Sequence, residues 1–218
     1  MNYLMAMLLV LLAYLLGSIN GSLLIGRFKK VDIREQGSGN AGGTNALRTQ
    51  GFLFALAVVL IDVLKGVCAV TLLPLLFLKF HLLGPSPHGA IILFCGAAAV
   101  IGHCYPVWYG FKGGKGAATL IGVLFVISPV VVMYVLLIFF TLLILTGYVG
   151  PNTVIAGLSA SVIFALRHEF FWQSQTFWFL VLMGLFLSFT HRSNIKNFSL
   201  GQEHRFEKAR LLHRLFKK

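Results

Sequence analysis

"ISPVV", residues 127–131, interrupts an apolar run that extends from 117 to 147, and its reading decides how many times the chain crosses a membrane. A bilayer core takes about 20 helical residues, so the run is too long for one ordinary span. Proline suits the first turn of a helix and disfavours helical backbone in the residue before it, so the Ser128–Pro129 step can end one helix and start another. Basic residues decide the matter. If the run is a hairpin of two short helices around Pro129, the loops 27–52, 110–116, 147–152 and 191–218 share one side. They carry five, two, none and eight Lys/Arg, fifteen in all, against Lys79 and Arg167 on the other side. A single span would split them eight against nine. Cytoplasmic loops carry the excess of Lys/Arg, so the hairpin is the favoured reading.

The remaining apolar segments lie at roughly 3–25, 53–78, 89–107, 153–166 and 175–190. The expected fold is therefore an all-α integral membrane protein of seven transmembrane helices, N-terminus outside and C-terminus cytoplasmic. Composition agrees: 58% of the 218 residues are hydrophobic, and 18 Lys/Arg face 6 Asp/Glu. With a mean hydropathy of +0.87, the chain lies far outside soluble-domain usage. The first segment starts at Tyr3 with no basic residue before it, so it reads as a retained span rather than a signal peptide. Cys68, Cys95 and Cys104 form no CxxC pair and are odd in number, which suggests buried thiols rather than a disulfide framework or zinc site. The chain reads as one transmembrane domain, 1–218, whose 191–218 region holds a cytoplasmic motif and a basic tail suited to anionic lipid.

This topology puts every polar cluster on the cytoplasmic side. In "GFKGGKGAATLIG" (110–122), Gly113, Gly114 and Gly116 are expected to turn successive backbone N–H groups toward one point, and the following helix adds the positive end of its dipole. Such a loop would bind phosphate or carboxylate. Lys115 would supply a charge from within it, and Lys112 would join it or lie along the membrane surface. The alternative is a flexible lysine-bearing turn at the headgroups. Walker A spacing is absent, because Gly116 stands where the magnesium-binding hydroxyl would be.

In "GSGNAGGTNALR" (37–48), Gly37 and Gly39 separate the short hydrogen-bonding residues Ser38, Asn40, Thr44 and Asn45, and Arg48 can grip phosphate oxygens in a bidentate fork. A plain polar turn is the competing reading. In the third cluster His191, Arg192 and Asn194 stand at the end of the last span, with Glu203 placed to orient one of the cations. His191 suits a base, a proton donor, a phosphate ligand, or merely a helix-end histidine. Within the spans, Asp62 and Lys65 share a helical face three residues apart and read as a structural ion pair near the cytoplasmic end of the second span, bracing the glycine loops. His103 with Cys104 is too little for a metal site.

Several motifs in this order resemble one family: "YLLGSI" (14–19), "GSGNAGGTNALR" (37–48), "DVLKG" (62–66), "GHCYPVWYGFKGGKGAAT" (102–119) and "HRSNI" to "GQEHR" (191–205). They resemble the bacterial acylphosphate:glycerol-3-phosphate acyltransferases, small integral membrane enzymes that make lysophosphatidic acid. The resemblance implies a seven-helix catalytic domain in the bacterial cytoplasmic (inner) membrane with its active site facing the cytoplasm. It implies acyl phosphate and glycerol 3-phosphate as substrates, membrane lipid as surroundings, and no cofactor, metal or nucleic acid. Ser38, Arg48, Lys115, His191 and Asn194 take the catalytic positions by this resemblance, and Glu203 the third-motif glutamate. Two departures stand out: "GSINGS" (17–22) lacks the proline often found after the isoleucine, and Gly43 replaces a usual alanine.

The chemistry suits these residues. An acyl phosphate carries a good leaving group, so a site that places a hydroxyl and stabilises negative charge suffices. No Ser-His-Asp or Cys-His nucleophile is evident, and no histidine begins an H-x-x-x-x-D motif. The hydroxyl proton goes either to a phosphate oxygen of the donor or to His191. The rival class is a transporter of an anionic phosphorylated solute. It predicts repeat halves and charges near the midplane, whereas the chain has no internal repeat and gathers its cations on one side.

Overall fold

In the computed structural model, which describes residues 3–80 and 89–206, one helix ends at Ile127 and the next begins at Pro129. The long apolar run thus breaks at the Ser128–Pro129 step. All regular structure among the described residues is helical. The chain divides at this step into two compact units, Met1–Ile127 and Ser128–Lys218. Most of the connector at 79–88, from residue 81 on, and the basic tail from 207 on lie outside the described residues.

The first unit contains α1 (Tyr3–Gly17), α2 (Gly21–Lys29), α3 (Gly43–Gln50), α4 (Phe52–Val70), α5 (Leu72–Lys79), α6 (Gly89–Cys104) and α7 (Ala117–Ile127). The continuous first span expected over 3–25 is corrected here: α1 stops at Gly17, and α2 departs at 46°. Hydropathy does not register the interruption, yet local chemistry makes it. Ser18 Oγ donates to Tyr14 O at 2.9 Å, and Asn20, in extended backbone, caps α2 by accepting from Leu23 N–H at 3.2 Å.

A helix broken within an apolar segment must find new partners for the backbone groups it releases. Lys65 Nζ donates to Ile19 O at 2.8 Å, and Asp62 Oδ1 accepts from Gly21 N–H at 3.1 Å. The two side chains pair at 2.9 Å, each under 5% exposed. The expected ion pair is present, but well inside α4 rather than near its end, because the groups it satisfies belong to the break in α1–α2.

Helix packing in this unit depends on small residues. A Cβ at Gly17 would collide with the Ala99 backbone and one at Gly102 with Tyr14 O, so α1 and α6 meet backbone to backbone. Gly66 against Thr119 and Gly122 against Val63 do the same for α4 and α7. Lipid tails remove the hydrophobic drive between helices, and close contact supplies the attraction instead.

The second unit contains α8 (Pro129–Thr146), α9 (Gly150–Ala165), α10 (Gln175–Thr190) and α11 (Arg192–Ser199), with α9 packed against both α8 and α10. Phe170, Phe171 and Trp172 of the α9–α10 connection meet Phe177 and Trp178 of α10 in a run of edge-to-face contacts, and Trp178 Nε1 donates to Trp172 O at 2.9 Å. Tryptophan rings such as these favour a membrane–water interface. Phe52–Lys79, Gly89–Tyr109 and Pro129–Thr146 are long and apolar enough to cross a membrane, and the bent α1–α2 pair is a fourth candidate. The helices α7, α9 and α10 are shorter apolar ones.

Candidate functional site

Two of the three polar clusters belong to the first unit. The segment after α2 begins with Asp32, which accepts from Arg34 N–H at 2.9 Å and starts a short 3₁₀ turn, Ile33–Glu35. Gly37 and Gly39 follow with φ of 57° and 73°, a left-handed backbone that favours glycine. Asn45, buried in α3, closes this loop from beneath. Its Oδ1 accepts from Ser38 N–H at 3.0 Å, and its Nδ2 donates to Ile33 O at 3.1 Å and Gln36 O at 2.9 Å. The carboxamide expected to meet substrate is instead engaged in shaping the loop that presents Ser38. Ser38 itself is exposed, while Asn40, Thr44 and Arg48 are half-buried.

The lysine loop folds back on the end of α6. Gly113 N–H donates to Cys104 O and Gly114 N–H to His103 O, both at 3.1 Å. The expected nest therefore does not form at Gly113 and Gly114, because the last carbonyls of α6 need donors and these amides are the nearest. What the glycines supply is closeness. A Cβ at Gly113 would strike His103 O and Pro106, and one at Gly114 would strike the His103 ring. Gly116, with φ of 91°, then turns the chain into α7, whose first-turn amides face the end that favours anions. Lys115 is half-buried just before that turn and Lys112 is exposed.

The structure joins these two loops through Arg34, which sequence reading passed over. Its Nη1 donates to Tyr109 O at 3.0 Å and Lys112 O at 3.3 Å, while Nε and Nη2 hold Asp32 at 2.6–3.1 Å. The bond from the Arg34 guanidinium holds the Asp32 carboxyl below the usual carboxylate range, and Asp32 in turn raises the affinity of Arg34 for its proton. The loops at 27–52 and 110–116, placed on one side by charge counting, are thus in direct contact.

A second set of contacts, which the sequence showed only in part, adjoins them. Lys65 Nζ meets His103 Nδ1 at 2.9 Å as well as Ile19 O and Asp62, so the three donors of the ammonium face three acceptors. His103 Nδ1 also lies 3.3 Å from Asp62 Oδ1. Asn20, fully buried, donates from Nδ2 to Ala41 O at 3.1 Å in the first glycine loop. The available signal was polar chemistry inside apolar segments: Asn20 in "GSINGS" and His103 in "IGHC".

The third cluster belongs to the second unit. His191, 6% exposed, joins α10 to α11, and its Nδ1 lies 2.9 Å from Leu187 O. A carbonyl only accepts, so Nδ1 carries a proton. Asn194 Nδ2 donates to Glu203 Oε1 at 2.7 Å, and the Asn194 side chain packs on Gly150. Glu203 thus orients an amide. Arg205 fixes the segment beyond it: Nε donates to Tyr148 OH at 2.6 Å, the guanidinium lies 4.8 Å over that ring, and Phe206 N–H donates to Gly147 O at 2.7 Å. The loops at 147–152 and 191–206, which charge counting also placed on one side, meet here.

These features define an integral membrane protein whose glycine loops suit an anionic group. A family model described as glycerol-3-phosphate acyltransferase matches residues 7–201. The glycerol-3-phosphate acyltransferase of Thermoanaerobacter pseudethanolicus is 41% identical over 200 residues, 91% of this chain and 94% of that protein. That of Chlorobaculum parvum is 40% identical over 221 residues, covering 90% and 94%. Among solved structures, the crystal structure of PlsY, an integral membrane glycerol 3-phosphate acyltransferase, in its glycerol 3-phosphate form superposes with a TM-score of 0.81. Its sequence identity is 35%, over 97% of this chain and 99% of that one. The lysophosphatidic acid form gives 0.77 over 92% and 94%. The chain belongs to the glycerol-3-phosphate acyltransferase family.

Proposed function

We propose that the protein moves a fatty acyl group from acyl phosphate to the sn-1 hydroxyl of glycerol 3-phosphate, giving lysophosphatidic acid and inorganic phosphate. Residues 1–218 form one catalytic domain of seven spans in the bacterial cytoplasmic membrane, N-terminus outside and active site facing the cytoplasm. The long helices, the bent pair and the three shorter apolar helices supply seven apolar segments, which supports this topology. The observation that carries the proposal is the joining of the two glycine loops through Arg34, which brings the Ser38 and Lys115 segments into one assembly. The glycerol 3-phosphate and lysophosphatidic acid forms of PlsY correspond to an acceptor and a product of this reaction.

The acceptor hydroxyl oxygen attacks the acyl carbonyl carbon, and the bond from that carbon to the phosphate oxygen breaks. The hydroxyl proton passes to an oxygen of the donor phosphate, so phosphate leaves protonated and no acyl-enzyme forms. Lys115, Arg48 and Ser38 bind and neutralise phosphate oxygens, with Lys112, Thr44, Asn40 and the backbone of Gly37, Gly39 and Gly116 around them. His191 and Asn194 orient the acceptor, so both position rather than deprotonate. The acyl chain lies in a groove open to lipid and gains about 0.8 kcal/mol per buried CH₂.

Phosphate release by purified protein in detergent, given glycerol 3-phosphate and palmitoyl phosphate, tests the reading. Release should require both substrates and fall by about 10²- to 10³-fold in Lys115→Ala, the loss typical of removing one preorganised charge-stabilising donor. No release from well-folded protein overturns the proposal. His191→Gln should retain measurable turnover with an unchanged pH profile, and a lost acidic limb would transfer the base role to His191.

A further inference from the structure

The buried polar cluster of the first unit has two arms that end at the two glycine loops. At its centre Asp62, Lys65 and His103 are 1%, 4% and 3% exposed. One arm passes through the break in the first span: Asp62 holds Gly21 N–H, Lys65 holds Ile19 O, and Asn20 between them reaches across to Ala41 O. The other is the His103 ring, held on Nδ1 by Lys65, with its Nε2 edge against Gly114, next to Lys115. Buried ionisable groups in an apolar segment are costly, and a span broken at 46° needs outside partners. An uninterrupted α1 would need neither. The break and the cluster together leave Asn20 and His103 each holding one loop.

We propose that Asn20 and His103, anchored on the Asp62–Lys65 pair, are positioning residues that set the two glycine loops for phosphate binding. Neither touches substrate in this scheme. Asn20 fixes the height of Ala41, and so of Ser38 and Asn40 beside it. His103 fixes Gly114 and so where Lys115 begins. This rests on the acyltransferase reading for its catalytic consequence, while the mount itself is a matter of loop geometry.

Asn20→Ser isolates the first arm, because serine caps a helix as well as asparagine but is too short to reach Ala41. The Michaelis constant for glycerol 3-phosphate should rise about tenfold, the equivalent of one positioning hydrogen bond, with kcat within about twofold of the parent. His103→Asn isolates the second arm, keeping a polar group for Lys65 and removing the ring from Gly114. Limited trypsin digestion in detergent then separates mount from mere packing. Asn20→Ser should speed cleavage at Arg48 and leave Lys115 unchanged, and His103→Asn should do the reverse. Equal acceleration at both sites, or a fall in kcat with no change in the Michaelis constant, overturns the proposal and makes the cluster plain structural packing. A parent enzyme without turnover removes the catalytic consequence together with the acyltransferase reading, and the digestion pattern still decides the mount.

Discussion

The first unit fixes its polar loops from below, through charges buried among helices; the second fixes its own from outside, through contacts at its surface. Asp62, Lys65 and His103 are all under 5% exposed, and their partners include backbone groups released by a broken span. In the second unit Asn194 is held by half-buried Glu203, and the segment carrying Glu203 is fastened by exposed Arg205 over Tyr148. A buried ionic mount cannot lose one member without stranding another, whereas an exposed clasp can let go and exchange its bonds for water. The first should behave as rigid framework, and the second as an adjustable closure.

The largest expected effect tests the rigid side. Asp62→Leu strands the Lys65 ammonium and the Gly21 amide, and should cost about 3–5 kcal/mol of stability by thermal unfolding in detergent. Asp62→Leu with Lys65→Met should recover part of that loss by removing the orphaned charge. If the double variant is no more stable than the single one, charge pairing is not what the site contributes. Next in size is Gly114→Ala, whose new methyl would strike the His103 ring. Overpacking there should cost about 1–3 kcal/mol and displace Lys115, measured as lower stability together with reduced turnover. Gly201→Ala, where nothing lies within 4 Å of an added Cβ, is the contrast, with only the strain of its φ of 69° to disturb it.

On the adjustable side the effects should be smaller. Arg205→Ala removes an exposed cation–π contact and a hydrogen bond, which should lower stability by about 1 kcal/mol or less. Glu203 should then become more accessible to carbodiimide labelling while the unfolding temperature barely moves. A large drop in stability would show that the clasp is framework after all and would erase the contrast between the units.

Sequence carried much of this arrangement where the signal was local. Proline at 129 marked a helix start, and the i,i+3 spacing of Asp62 and Lys65 marked a pair. The break at 18–20 escaped because hydropathy averages over a window, and Ser18 and Asn20 are too few to interrupt it. His103 was noticed but not joined to Lys65, since 38 residues separate them and only the packing of α4 near α6 brings them together. Asn45 was read as a ligand because amides in glycine loops commonly are. Nothing local says that its three bonds go to Ser38, Ile33 and Gln36.

The smallest effect probes an ionic contact of the first unit that resembles the second unit's clasp. Asp32 and Arg34 are paired at 2.6 Å with about a third of each side chain exposed. Since the bond from Arg34 lowers the Asp32 pKa in the folded protein, the pair adds stability above the unfolded carboxylate pKa of about 3.9. That contribution falls away as pH drops through the lower folded value. At neutral pH, Asp32→Asn should cost about 0–1 kcal/mol, the range for exposed pairs. Below pH 4 the variant and parent should converge, because the parent's carboxyl is then also losing its charge. Arg34 keeps its bonds to Tyr109 O and Lys112 O in both, so the loops should stay joined and the Michaelis constant for glycerol 3-phosphate should change by less than about twofold. A tenfold rise would instead mean that Asp32 aims the guanidinium, and would add this exposed pair to the rigid framework.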